Sequence, residues 1–183
     1  MIASMDIGFF ELNNEEWKID VVVNQCANSL ENGARQGAVF TSEARPKPVW
    51  ERGNHMIILC VGDVVGGAGC QHLRRVLPVV KRQYGVDICI VNGENAADGN
   101  GITPAAAAHI LDSGADVITG GNHTFRRREF YEVLDETPYI LRPANYPASA
   151  PGRGLYVVDK GRYQLAVINL IGLVYMEPLA CPF

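Results

Sequence analysis

MIILCVGD at residues 56–63, DICIVNGEN at 87–95 and DVITGGNH at 116–123 decide the fold of this chain. Each is an apolar run of strand length that ends on polar residues, and the segments between them space their apolar residues as helices do. Such alternation reads as a mostly parallel sheet with helices packed on its faces, an α/β architecture. Residues 69–84 carry Leu73, Val76, Leu77 and Val80 at helical spacing, with Pro78 expected to kink or break the helix. Thr103-Pro104 has the form of an N-cap and first-turn proline, opening a helix through Leu111 that Gly114 stops. A helix over about 128–135, a strand near 139–141, a proline-rich loop to Gly154 and a hairpin over 155–170 complete the pattern.

Residues 1–55 lack this periodicity and lead through Ser42-Glu43-Ala44-Arg45-Pro46-Lys47-Pro48, a linker-like stretch. They are expected to form an N-terminal extension that packs loosely or not at all, with short strands an option at Phe9-Phe10 and Val21-Val22-Val23. The domain proper is expected to span 56–183.

With 183 residues, 48% hydrophobic and 20% charged, the chain has a globular composition and enough length to bury a core without a structural metal. A net charge of −4 argues against a protein held stably to nucleic acid by a basic face. Arg126-Arg127-Arg128 reads first as a solvated helix start and second as a substrate-phosphate contact. The five cysteines form no C-x-x-C pair, which fits a reducing compartment. No apolar run approaches a membrane span and no basic leader opens the chain, so the expected location is the cytoplasm, away from membranes.

Chemistry concentrates where the three strands end. Asp63 follows the first, Glu94 and Asn95 the second, Asn122 and His123 the third. In open parallel sheets ligands bind beyond the carboxyl ends of the strands, so residues distant in sequence converge there. Two carboxylates, two amides and an imidazole make an oxygen-rich ligand set with a proton donor beside it, the composition a two-metal hydrolase requires. Glu94 is the natural bridge between two ions, and His123 is placed to protonate a leaving alkoxide. Taken singly, each residue has a plainer role: Asp63 as N-cap of the next helix, Asn95 and Asn122 as turn formers, His123 as a structural histidine.

GDVVG, NGENAA, GGNHT and RPANYP together resemble the calcineurin-like metallophosphoesterases, specifically the bacterial YmdB-like cyclic-nucleotide phosphodiesterases, from Met56 to Phe183. The wider superfamily usually opens with D-x-H and G-D-x-x-D. Here stand Asp63-Val64-Val65 and Gly93-Glu94-Asn95, which fit the YmdB-like subgroup.

The resemblance implies a layered α/β sandwich, of which this chain carries the first half. It also implies that Asp63 binds one metal, Glu94 bridges, Asn95 supports the first, Asn122 binds the second and His123 is the general acid. Two divalent ions, iron or manganese, and a small phosphodiester substrate such as 2',3'-cyclic AMP follow from the same resemblance.

Similar proteins continue beyond Pro178-Leu179-Ala180-Cys181-Pro182-Phe183 and supply three further metal-binding histidines. This chain is therefore expected to hold metals poorly, to turn over weakly and to self-associate as a homo-oligomer through an open sheet edge. Two alternatives compete. One is a nucleotide-binding α/β module built on the glycines from Gly62 to Gly69, although neither G-x-G-x-x-G nor a Walker ending is present. The other is a non-catalytic fragment acting through association.

Overall fold

The computed structural model describes residues 56–174, 176 and 179–181, and the backbone of 7–12 and 17–18. The linker 42–48 and residues 21–23 lie outside the described residues. Four strands, β3 (Met56–Val61), β4 (Ile88–Asn92), β5 (Val117–Thr119) and β6 (Ile140–Leu141), run parallel in that order. Preceding them in the chain, β1 (Ile7–Leu12) lies antiparallel against β3 over its whole length, and β2 (Trp17–Lys18) pairs with β1. The expectation of a loosely packed extension therefore fails for 7–12: backbone pairing covers the β3 edge. The β3 edge is closed, and β6 ends the described sheet on the other side.

Period-two alternation divides the sheet's side chains between two layers. Leu59, Val61, Cys89, Val91, Ile118 and Ile140 face α1 (Gly66–Tyr84), α2 (Pro104–Asp112) and α3 (Tyr131–Glu136), the last entered through a 3-10 turn at Arg128–Phe130. Met56, Ile58, Ile88, Val117 and Leu141 face Val158 and Val167 of the hairpin formed by β7 (Leu155–Asp159) and β8 (Gln164–Ile168). Helices thus cover one face and a two-stranded sheet the other, where helices on both faces were expected. The result is a layered α/β sandwich.

Pro78 sits inside an unbroken α1, which starts three residues before the predicted Gly69 and ends on Gly85 in the left-handed conformation. Packing of Leu73 and Leu77 into the core outweighs the hydrogen bond the proline removes. Thr103 caps α2 as predicted, accepting from the Ala106 amide at 3.2 Å. No described helix is long and apolar enough to cross a membrane. Burial pushes the Cys60 thiol up to about 11 and the Cys89 thiol up to about 12, so both are inert core residues.

The layers are tied together at the amino ends of the strands. Asp116 accepts from Lys81 of α1 at 3.1 Å, from Lys160 of the hairpin turn at 2.6 Å and from the Cys89 amide at 2.8 Å. Burial pushes its carboxyl up, but the hydrogen bonds from Lys160, Cys89 and Lys81 and the Lys81 charge outweigh this and hold it below the ordinary carboxylate range. A carboxylate depressed in the folded state stabilises above its unfolded pKa of about 4 and loses that contribution as pH falls through the lower folded value. Asp116→Ala should cost about 2 kcal/mol at neutral pH, since it strands a backbone donor and two lysines. Urea unfolding at pH 7 and pH 3 checks this: the difference from wild type should shrink at the lower pH, and a constant difference would refute it.

Candidate active site

Three turns at the carboxyl ends of β3, β4 and β5 carry every predicted site residue. Asp63 leaves β3 with φ of 42°, a left-handed conformation that a non-glycine residue holds at a cost of roughly 1–3 kcal/mol. It does not cap α1, whose N-cap is Val65. The neighbouring amides of Val64 and Gly66 are occupied by the carbonyls of Asn92 and Asn95, at 3.0 and 2.9 Å. A phosphate-cradling loop needs such amides free, which disfavours the nucleotide-module reading.

After β4, Asn92 accepts from the Glu94 amide at 3.2 Å and shapes the turn that presents Glu94 and Asn95. After β5, the Thr124 hydroxyl accepts from the Gly121 amide at 2.9 Å and donates to the Gly121 carbonyl at 2.8 Å, closing the turn on itself. Both glycines of this turn are dictated by contact: a Cβ at Gly120 would strike the Thr124 hydroxyl, and one at Gly121 would strike the Glu94 carboxylate. The backbone of the third turn is thereby pressed onto the acid of the second.

Hydrogen bonds then join the three turns. Asn95 Nδ2 donates to Asp63 Oδ1 at 2.6 Å, His123 Nδ1 meets Asn95 Oδ1 at 2.6 Å, and the His123 amide donates to Glu94 Oε2 at 3.0 Å. A carboxylate only accepts, so Asn95 must turn its NH2 to Asp63 and its oxygen to His123. His123 Nδ1 must then carry the proton, which leaves Nε2 as the ring atom that gains and gives one. The Asn122 side chain makes no hydrogen bond among the described residues, and its amide remains available.

In kind, this donor set suits a hard divalent cation: Asp63, Glu94, Asn95 and Asn122 all offer oxygen, and each carboxylate keeps an uncommitted oxygen. It is small in number. Among the described residues no three His, Cys, Asp or Glu side chains gather as a metal-holding group. His109 binds the Cys70 carbonyl at 3.1 Å and joins α2 to α1, His72 is exposed on α1, and His55 lies outside the described residues. Behind Glu94, a cavity of about 10 Å³ between Gly93, Thr119, Gly120 and Thr124 has room for no more than a water, so any substrate must sit on the outer side of the turns.

Sequence reasoning missed two supports. Thr124 belongs to the quoted GGNHT stretch, yet its reciprocal bonding to Gly121 has no signature beyond a threonine three residues on. Arg126-Arg127-Arg128 is a solvated helix start, with Arg127 at the N-cap of the 3-10 turn and Arg126 and Arg128 exposed, but Arg127 also has a supporting role: its Nε donates to the Asn100 carbonyl at 3.1 Å and its Nη2 to the Ala97 carbonyl at 3.5 Å, bracing the second turn against the third.

A family model described as YmdB-like protein matches residues 59–183. The chain is 43% identical over 128 residues to a 2',3'-cyclic-nucleotide 2'-phosphodiesterase of Bacillus subtilis (strain 168), covering 70% of this chain and 48% of that protein. It is 29% identical over 127 residues to a putative phosphatase/phosphodiesterase of Mycoplasma genitalium, covering 67% and 45%. Among solved structures, a hypothetical protein from Thermus thermophilus superposes with a TM-score of 0.64 at 34% identity, over 68% of this chain and 48% of that one. A novel phosphatase of Mycoplasma pneumoniae superposes with a TM-score of 0.63 at 29% identity, over 68% and 47%. The chain spans about half the length of the curated relatives it matches.

Proposed function

Because this chain belongs to the YmdB-like protein family, we propose that it carries the oxygen-donor half of a metal-dependent phosphodiesterase centre acting on 2',3'-cyclic nucleotides. The observation that carries this reading is the hydrogen-bonded chain from Asp63 through Asn95 to His123, set against Glu94. It ties the imidazole ring, through Asn95, to one carboxylate and its backbone to the other. Asp63, Glu94, Asn95 and Asn122 would hold two divalent ions, iron or manganese, with Glu94 bridging. When bound, such ions supply Lewis acidity at the phosphoryl oxygens and acidify water.

The chain's own residues do the rest. Asn95 fixes the His123 ring, its carbonyl accepting a hydrogen bond from Nδ1–H while its NH2 is anchored on Asp63. Protonated His123 then holds its second proton at Nε2. Water attacks phosphorus and releases one proton to solvent as the new P–O bond forms and the P–O2' bond breaks; Nε2 delivers its proton to the departing O2' alkoxide and is re-protonated from solvent. The product is a 3'-phosphate, in keeping with the 2'-phosphodiesterase relative.

We further propose that this unit begins near residue 56, which the family match from residue 59 supports. A cytoplasmic setting is supported by the free thiols of Cys60, Cys70 and Cys89. The test is product analysis of 2',3'-cyclic AMP incubated with the metal-stripped chain, with and without added Mn²⁺. Weak turnover that requires Mn²⁺ and yields 3'-AMP supports the reading. Turnover that is insensitive to chelation, or that yields 2'-AMP, contradicts it.

A further inference from the structure

Asn169 directly follows β8 and reaches back to the parallel sheet: its Nδ2 donates to the Gly120 carbonyl and to the Leu141 carbonyl, both at 3.0 Å. Both partners are carbonyl oxygens, which only accept, so the amide nitrogen with its two hydrogens must be the group that faces them. The residue is itself fixed. Its amide donates to the Gly154 carbonyl at 2.9 Å, and its carbonyl accepts from the Ala144 amide at 2.7 Å. Two residues on, Ile171 is gripped in both directions by the buried Asn145, which accepts from its amide at 3.1 Å and donates to its carbonyl at 3.0 Å.

The point it grips is where the sheet runs out of pairing. β5 and β6 match only Ile118 with Ile140 and Thr119 with Leu141; beyond them the Gly120 amide donates to the Leu141 carbonyl at 2.8 Å, and the strands part. Position 120 must be glycine, because a Cβ there strikes Thr124, yet glycine is the residue whose backbone is least constrained by its own sterics. The next residue, Gly121, is pressed on the Glu94 carboxylate, and Asn122 and His123 follow it. A shift at Gly120 would therefore move all three groups together.

We infer that Asn169 is a positioning residue: by tying the Gly120 and Leu141 carbonyls together, it fixes the turn that presents Asn122 and His123 beside Glu94. The hairpin layer carries no predicted site residue, and through Asn169 it becomes part of the site's support. The ligand and proton-donor roles of that turn rest on the phosphodiesterase reading above, whereas the brace itself does not.

Amide hydrogen exchange by NMR on the metal-stripped 183-residue chain reads the brace, and Mn²⁺ binding reads its consequence. Asn169→Asp keeps the size but sets oxygen against two carbonyls, Asn169→Ser is the milder change, and Val167→Ala on the buried face of β8 controls for lost packing alone. In both Asn169 variants the Gly121 and His123 amides, bonded to Thr124 and Glu94, should exchange about 10-fold faster. The Val64 and Gly66 amides of the first turn and the Val91 amide of the core should keep their rates, and Val167→Ala should show no such selectivity. Mn²⁺ affinity, measured on Asn169→Ser so that no carboxylate is added, should fall about 10–100-fold, as when a partner that orients a metal ligand is removed. Exchange at Gly121 and His123 that matches wild type, or that rises only in step with Val91 in both variants, would overturn the inference, as would Val167→Ala reproducing the selective loss. Selective loss in a chain that binds no Mn²⁺ would keep Asn169 as the brace of this turn and remove the metal reading. Mn²⁺ binding that Asn169→Ser leaves untouched would do the reverse.

Discussion

In a version of the protein extended to the length of its curated relatives, alanine at position 123 is expected to lower turnover of 2',3'-cyclic AMP by about 10²–10⁴-fold, the usual loss when a general acid is removed. Metal content should not change. The distinction follows from the ring's contacts: Nδ1 is committed to Asn95, and the group that meets Glu94 is the His123 backbone amide, which alanine keeps. Removing the ring therefore takes away the Nε2 proton without loosening the turn that holds Asn122. Metal analysis by mass spectrometry beside product assays checks both halves. A variant that loses its metal along with its activity would make His123 a ligand and reassign its role.

Glu94→Gln is the second change with a large expected effect, and its signature is the opposite one. The substitution preserves shape, and glutamine's carbonyl can still accept from the His123 amide, so the turn after β5 should stay in place. What disappears is the negative charge and the ability of two equivalent oxygens to bridge two ions. Loss of a mere outer partner of a metal ligand costs about 10–100-fold in metal affinity. If Glu94 bridges two ions as proposed, its loss should cost more than about 10²-fold in metal affinity, with turnover lost in step. Equal metal retention by wild type and Glu94→Gln would remove Glu94 from the ligand set. Because Gly121 is pressed on this carboxylate, Gly121→Ala should reproduce part of the defect by displacing Glu94 without touching its charge.

The strand ends were legible because three continuous apolar runs each stop on a polar group, and a parallel sheet gathers such stops at one edge. That pattern singles out Asp63, Glu94, Asn95, Asn122 and His123. Their hydrogen bonding was not legible: Asn95 reads as a turn former, and its role between Asp63 and His123 exists only once two loops 28 and 32 residues apart are brought together. The pairing of Ile7–Leu12 with β3 was missed because an antiparallel partner more than forty residues away leaves no local period, and Phe9-Phe10 alone could only suggest a strand. Pro78 was over-read, since a core-facing helix tolerates one missing bond when the residues around it are buried. Asn169 was invisible as a support, because it reads as the end of a hairpin strand and its two partners lie 28 and 49 residues away.

In the proposed reading a divalent cation enters at the carboxyl edge of the parallel strands. Line broadening of backbone amide NMR signals by a trace of Mn²⁺ tests it most directly, since the effect falls steeply with distance from the ion and needs neither activity nor tight binding. The amides of Val64, Asn95 and His123 should broaden first, chelator should restore them, and Glu94→Gln should blunt the effect. Broadening centred instead on the carboxylates at the amino edge, around Asp87 and Asp116, would place the cation at the wrong end of the sheet and contradict the account.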